Sequence, residues 1–316
     1  MTSDSIAPIW RARVSRPMFR LGLIGAGRMG QTHVAALVPS NVISVTSIVE
    51  PRETVANDLR AAGHTVFNSI EALLDTKDID GFLVATPSGF HADAIRQLVP
   101  AGLPILCEKP CGLSVADAVE IRTMVASAGV RLQVGYWRRF VPAMITLKKD
   151  IENGRFGRLL LVHASQWDHR PPASEFRNSS GGIVVDMGVH EIDVIHWLTG
   201  QTIETVTSVS AWSRADKVSD EDSAVISFSL SDGSIGLATL GRFFPDRDFV
   251  GIEVMGDEDH QQYDIVSGSG GDAVFLSALR NQAEAFASGG NKFSATIDDA
   301  VAALRVASEI KEKSSS

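Results

Sequence analysis

Polarity along this chain runs in two rhythms. From Met18 onward, short apolar runs are each followed by a stretch with apolar residues at helical spacing. Leu21–Ile24, Val42–Val49, His64–Phe67, Gly81–Ala85, Pro104–Cys107 and Arg131–Gly135 read as strands. Between them, Met29–Leu37, Glu53–Ala62, Ser69–Leu74, His91–Leu98 and Ser114–Ala128 read as helices, with Gly63 a cap residue after the second. Strands alternating with helices predict a parallel, doubly wound sheet. Past Tyr136 the rhythm changes. Pro142–Asn153 reads as a helix, Leu159–Gln166 as a strand, Asp168–Gly182 as a polar loop and Ile183–Leu198 as an apolar helix ending at Gly200. Strand-like runs then follow one another at Thr205–Trp212, Ser223–Leu230, Ser234–Phe243 and Phe249–Met255, before two closing helices, Ala273–Ala287 and Ile297–Lys313. Such strands without intervening helices imply a mainly antiparallel sheet. The expected fold is α/β, a doubly wound parallel sheet followed by an α+β domain.

The first rhythm turns on Gly25-Ala-Gly-Arg-Met-Gly30. The first glycine permits a tight turn, the second lets a pyrophosphate approach the backbone, and the third lets the helix pack against the strand. Alone, three glycines are weak evidence. The second strand, however, ends in Glu50, about 20 positions beyond Gly30, where an acidic side chain grips adenosine ribose hydroxyls. Ligands of such sheets sit outside the carboxyl ends of the strands, which selects the loops Gly25–Gly30, Thr86–His91 and Glu108–Gly112.

Composition narrows the class. Hydrophobic residues make up 44% and charged residues 21%, ordinary for a globular protein, and the formal charge of −9 disfavours a nucleic-acid surface. Two cysteines, Cys107 and Cys111, are too few for a disulfide framework and suit a reducing cytoplasm. No run approaches the ~18 apolar residues of a membrane span. Residues 1–17 lack a continuous apolar core and are expected to form a mobile extension, with 18–139 binding nucleotide and 140–316 serving substrate and assembly.

Candidate chemistry lies in two places. Lys109 follows a strand end, where a lysine donates to a substrate hydroxyl or steadies an alkoxide as hydride leaves; the plain alternative is a solvated loop lysine. In the helix 183–198, Asp186, His190 and Asp193 are spaced four and three apart and so share a face. A carboxylate beside an imidazole suits hydroxyl oxidation, although a histidine on an apolar helix is often a satisfied core group. His190-Glu191 does not begin a zinc-protease motif, because the next histidine, His196, is six positions on. No metal set is expected. Tyr136, Arg138 and Gln166 are candidate cleft residues, with a linker salt-bridge role equally open for the arginine. His33 reads as a packed helix residue close to the nucleotide loop.

Together, Gly25-Ala-Gly-Arg-Met-Gly30, Ala85-Thr-Pro-Ser-Gly-Phe-His91, Glu108-Lys-Pro110 and the segment Gly181–Asp193 resemble the Gfo/Idh/MocA oxidoreductases, which include glucose–fructose oxidoreductase and inositol dehydrogenase. The resemblance implies a Rossmann domain followed by a domain whose open, mainly antiparallel sheet mediates assembly as a homodimer or homotetramer. It implies NAD or NADP as cofactor, held by Gly25, Gly27, Arg28, Met29, Gly30, Glu50, Arg52, Thr86, Pro87, Ser88, His91, Glu108 and Lys109. It implies Lys109, Asp186 and His190 as the catalytic group, with Asp193 at a position that contacts substrate, beside the cleft candidates Tyr136, Arg138 and Gln166 read from residue type. Glu50 favours NAD by repelling a 2′-phosphate, while Arg52 would attract one. Cys111 departs from the family pattern, which has hydrophobic residues there. The activity implied is hydride transfer between nicotinamide and a secondary ring hydroxyl of a sugar, sugar derivative or inositol. The alternatives are an NAD-retaining glycosidase or lyase of the same family and a non-enzymatic nucleotide-sensing regulator.

Overall fold

Apolar strands of two to seven residues assemble the first half around a buried sheet. The computed structural model describes residues 18–213, 220–266 and 270–314; the expectation for 1–17 lies outside the described residues. In order come β1 (Phe19–Ile24), α1 (Arg28–Leu37), β2 (Ile43–Val49), α2 (Glu53–Ala61), β3 (Val66–Phe67), α3 (Ile70–Leu74), β4 (Gly81–Val84), α4 (His91–Leu98), β5 (Ile105–Cys107), α5 (Val115–Ala128) and β6 (Leu132–Val134). The sheet order is β3-β2-β1-β4-β5-β6 and every pairing is parallel. Helices cover both faces, so β4 and β5 are buried along their whole length rather than alternating. Local signals set the helix starts. Ser69 accepts from Ala72 N–H, and Ser114 and Asp117 form a reciprocal capping box at the start of α5. Strand order reverses between β1 and β4, which opens a crevice at their carboxyl ends.

The second half runs α6 (Pro142–Glu152), β7 (Leu159–Trp167), α7 (Ser174–Ser179), a π-helical turn at Val184–Gly188, α8 (Val189–Thr199), β8 (Ile203–Trp212), β9 (Ser223–Leu230), β10 (Ile235–Gly241), β11 (Phe249–Gly256), β12 (His260–Val266), α9 (Gly271–Ala287) and α10 (Ile297–Ser314). Its sheet order is β12-β11-β7-β10-β9-β8. Only the β7–β10 pair is parallel, so the sheet is mixed and mainly antiparallel. Alternate residues such as Val162, Ala164, Ile226, Phe228, Ala238 and Leu240 are buried, and α8 and α10 pack onto this sheet. Val225, Ile235 and Met255 remain exposed.

Two local expectations need correction, and one strand lies in a segment left unassigned from sequence. The segment 168–182 is not all loop, because α7 forms within it. The helix over 183–198 opens as a π-helical turn before becoming regular. The polar run His260–Val266 is an edge strand, paired only with β11.

The chain finally returns to the first sheet. α9 packs on α1, with the Phe286 ring edge-on to Phe19 at 5.7 Å. Burying a ring of that size contributes roughly 2 kcal/mol. Val134 N–H on the edge of β6 then donates to Ala295 O at 2.9 Å, just before α10.

Candidate active site

The nucleotide loop shows why glycines occupy it. Gly25 has φ +94°, and a Cβ there would meet the Thr86 backbone at 2.9 Å. A Cβ on Gly30 would stand 2.1 Å from Gly25 O, so α1 can approach β1 only without a side chain at that position. Gly27 has open space where a Cβ would stand, which leaves its backbone approachable. Gly27 immediately precedes α1, whose first N–H groups carry the helix's partial positive charge. Arg28 is exposed and Met29 half-buried at the same end. This cradle fits a dinucleotide pyrophosphate.

Glu50 ends β2 with a buried carboxylate that Arg52 occupies. Its Oε1 accepts from Arg52 N and Nε at 2.9 and 2.8 Å, and Oε2 from Arg52 Nη2 at 2.8 Å and Ala26 N at 3.1 Å. These bonds, the Arg52 side chain first, hold the Glu50 carboxyl below its usual pKa. Across the crevice, Pro87 is exposed and Thr86 and Ser88 are half-buried. The Thr86 Oγ1 is buried and has no hydrogen-bond partner among the described residues. His91 is buried beneath them, with Nε2 2.8 Å from Thr86 O and Nδ1 2.7 Å from Pro110 O. It staples two loops to each other.

Lys109 projects from the end of β5 toward the π-helical turn. Its Nζ donates to Asp186 O at 2.6 Å and lies 3.3 Å from Asp186 Oδ1. Burial alone would raise the Asp186 carboxyl, but Lys109 and Arg242 outweigh it and hold its pKa below the usual value. The preceding Glu108 accepts from its neighbour's Lys109 N–H at 3.3 Å and pairs with His33. The peptide joining Lys109 to Pro110 is cis.

His190 is 5% exposed, edge-on to the rings of Tyr136 and Trp137 at 5.9 and 6.4 Å. Burial, reinforced by the charges of Lys109 and Arg138, pushes its pKa well below the usual histidine value. Its Nδ1 has no partner among the described residues. The site therefore brings together a lysine, an ionised carboxylate and a neutral imidazole.

Other candidates are held elsewhere. Arg138 is buried between Glu191 (2.5 Å) and Gln166 (2.6 Å). Asp193 is 3% exposed, and both its oxygens accept from Arg139, at 3.0 and 2.5 Å, with Asp299 joining the same guanidinium. Asp193 thus does not meet Lys109 or Asp186. Cys107 and Cys111 are both fully buried beside the lysine loop.

Sequence reasoning overlooked Arg242, which follows β10 and is fully buried. Its Nη1 lies 2.7 Å from Asp186 Oδ2 and 3.3 Å from Asp168 Oδ2, and its Nη2 3.1 Å from Asp220 Oδ2. Arg177 Nε donates to the same Asp220 oxygen at 2.9 Å. The available signal was an arginine at the end of an apolar strand, which is ambiguous without knowing where that strand end lies. Among the described residues no group of three or more His, Cys, Asp or Glu side chains is placed to hold a metal ion.

Fold and crevice together define an NAD-binding Rossmann oxidoreductase. Residues 19–136 match the model of the oxidoreductase family with an NAD-binding Rossmann fold, and residues 144–260 match the GFO/IDH/MocA C-terminal domain. The chain belongs to the GFO/IDH/MocA oxidoreductase family, whose members related to it include NAD-dependent inositol dehydrogenases. It is 42% identical over 300 residues to the rhizopine catabolism protein MocA of Rhizobium meliloti, covering 93% of this chain and 94% of that protein. It is 30% identical over 285 residues to the myo-inositol dehydrogenase Hyg17 of Streptomyces leeuwenhoekii, covering 84% and 86%. In fold it matches the scyllo-inositol dehydrogenase of Lactobacillus casei solved with NAD(H) and scyllo-inositol, with a TM-score of 0.81 at 22% identity. That match spans 94% of this chain and 96% of that one. Among the described residues no helix is long and apolar enough to cross a membrane.

Proposed function

We propose that this protein is an NAD-dependent dehydrogenase acting on a secondary ring hydroxyl of a cyclitol or sugar, with His190, Lys109 and Asp186 at the reacting carbon. The observation that carries this reading is the Lys109–Asp186 pair at the end of β5, near an imidazole that burial keeps neutral. NAD supplies the hydride acceptor when bound, and the Gly25–Gly30 loop, Glu50, Arg52 and the Thr86–Ser88 segment would hold it. His190 takes the hydroxyl proton; its low pKa leaves the ring unprotonated at neutral pH. Lys109 donates a hydrogen bond to the same oxygen and steadies the negative charge that develops there. Asp186 orients Lys109. The carbon gives up a hydride, the oxygen its proton, and a ring ketone results.

The relatives' names favour a cyclitol over an open-chain alcohol. The buried Glu50 carboxylate favours NAD over NADP, because a 2′-phosphate would meet a negative charge. We further propose that residues 18–139 serve the cofactor and 140–316 the substrate, that the open face of the second sheet carries a homodimer or homotetramer contact, and that the protein works in the cytoplasm. The test is absorbance of reduced nicotinamide with NAD or NADP against inositols, aldoses, anhydrosugars and sugar acids. A ring polyol oxidised with NAD supports the reading. Silence across the panel with NAD bound would overturn it in favour of the cofactor-retaining or regulatory alternatives.

A further inference from the structure

We propose that Arg242 is a positioning residue for this reaction, fixing the Asp186 carboxylate so that Lys109 alone is free to turn between that carboxylate and substrate. The inference rests on the roles proposed above for Lys109 and Asp186. A guanidinium with no exposed surface is costly to bury unless carboxylates surround it. Arg242 has three of them, from distant parts of the chain: Asp186 in the π-helical turn, Asp168 after β7 and Asp220 before β9. Its own N–H donates to Asp222 O at 2.8 Å, so the residue is fixed at both ends.

The two oxygens of Asp186 are divided between two cations. Oδ2 is 2.7 Å from Arg242, and Oδ1 is 3.3 Å from Lys109. Of these two carboxylate contacts, the shorter is to the group that cannot lose its proton and the longer to the group that can, while Lys109 is also held by the Asp186 backbone O at 2.6 Å. Asp186 therefore keeps its charge and direction through Arg242 whatever Lys109 is doing. The charged groups around Asp186 are Lys109, Arg242 and, across Arg242, Asp168. The competing explanation is a strut that merely holds the 220–222 segment, since Arg177 also grips Asp220 and Asp222 at 2.9 Å each.

The experiment compares Arg242→Gln, Arg242→Lys and Asp220→Asn with the parent protein in the presence of NAD. The first readout is the pH titration of the Asp186 side-chain carboxyl by ¹³C NMR, assigned with Asp186→Asn. The second is the pH profile of kcat/KM with myo- and scyllo-inositol. In Arg242→Gln the Asp186 titration and the acid limb should both move up by about one pH unit. kcat should fall about tenfold or more, with the NAD Kd unchanged within about twofold. Asp220→Asn, which removes the strut contact alone, should leave the titration in place. An unmoved Asp186 titration in Arg242→Gln, or an equal shift in Asp220→Asn, overturns the proposal. If Arg242→Gln does not fold, Arg242→Lys decides: it keeps the cation, so the Asp186 titration should stay low, but it loses the planar fork, so kcat should still fall, and an unchanged kcat overturns the proposal. Full activity in Lys109→Met or Asp186→Asn would instead sink the catalytic reading, while the NMR titration still reports whether Arg242 governs Asp186.

Discussion

His33 Nε2 lies 2.6 Å from Glu108 Oε1, so the helix that follows the glycine loop is tied directly to the loop that carries Lys109. Both residues are buried. Burial would raise the Glu108 carboxyl, yet the His33 hydrogen bond and charge outweigh it and lower its pKa. His33→Ala strands a buried carboxylate. The expected cost is about 3 kcal/mol, read as a lower urea midpoint at unchanged slope. A midpoint equal to the parent's would mean that Glu108 finds another partner.

The glycine loop separates folding from binding. Gly30→Ala drives a methyl into Gly25 O and is expected to lose about 3 kcal/mol of stability. Gly27→Ala meets nothing and its φ of −70° suits alanine, but Gly27 caps α1, where alanine is the poorer residue, so stability should change by less than about 1 kcal/mol. Its added methyl occupies the phosphate approach, and the NAD Kd should rise about tenfold or more. Thermal melts and calorimetric titration of the two variants check both halves of this contrast.

His190→Ala is expected to lower kcat about 10²- to 10⁴-fold while NAD still binds. Because His190 titrates well below its ordinary range, the parent enzyme should hold its turnover at mildly acidic pH, where a solvated histidine base would already be protonated. A variant with normal turnover would falsify the proton-transfer role.

Arg52 makes three of the four hydrogen bonds that Glu50 accepts. Its side chain is half exposed, and it is the cation nearest to that carboxylate. Arg52→Ala should weaken NADP about tenfold more than NAD, the worth of a charge-assisted hydrogen bond. Fluorescence titration with the two cofactors measures the ratio. Equal losses for both would show Arg52 acting only through the fold.

His196 predicts an acid sensitivity. Its Nε2 accepts from Ile203 N–H at 3.0 Å, and burial pushes its pKa down to about 4 from 6.5. Below pH 6.5 the unfolded chain takes the proton first. Stability is therefore complete above pH 6.5 and falls as pH drops toward 4, by roughly 3 kcal/mol over the window. In His196→Gln this part of the slope should vanish, as followed by denaturation at a series of pH values.

Sequence periodicity revealed most of the architecture because both halves bury strands whose apolar residues announce them. Where it failed, burial was not the signal. β12 is an edge strand with alternating exposed polar residues, so its sequence looks like loop. The π-helical turn at Val184–Gly188 interrupts an otherwise helical apolar run, and no residue spacing in the sequence distinguishes it from regular helix. Lys109, Asp186 and His190 were readable because a strand end and a helix face place them. Arg138 and Asp193 stand in buried ion pairs with Glu191 and Arg139, an arrangement whose letters look the same in sequence as those of a ligand-binding charge. Arg242 draws its partners from positions 168, 186 and 220, and no spacing along the chain encodes that meeting.

The return of α9 to α1 gives the protein the mechanics of a laced seam, not of a clamshell on one hinge. Phe286 lies against Phe19, and Ala295 completes the edge of β6, so the segment from α9 onward fastens the cofactor half from outside. A fragment ending before residue 271 would expose that apolar seam and lose the edge pairing, leaving the nucleotide half without its outer wall.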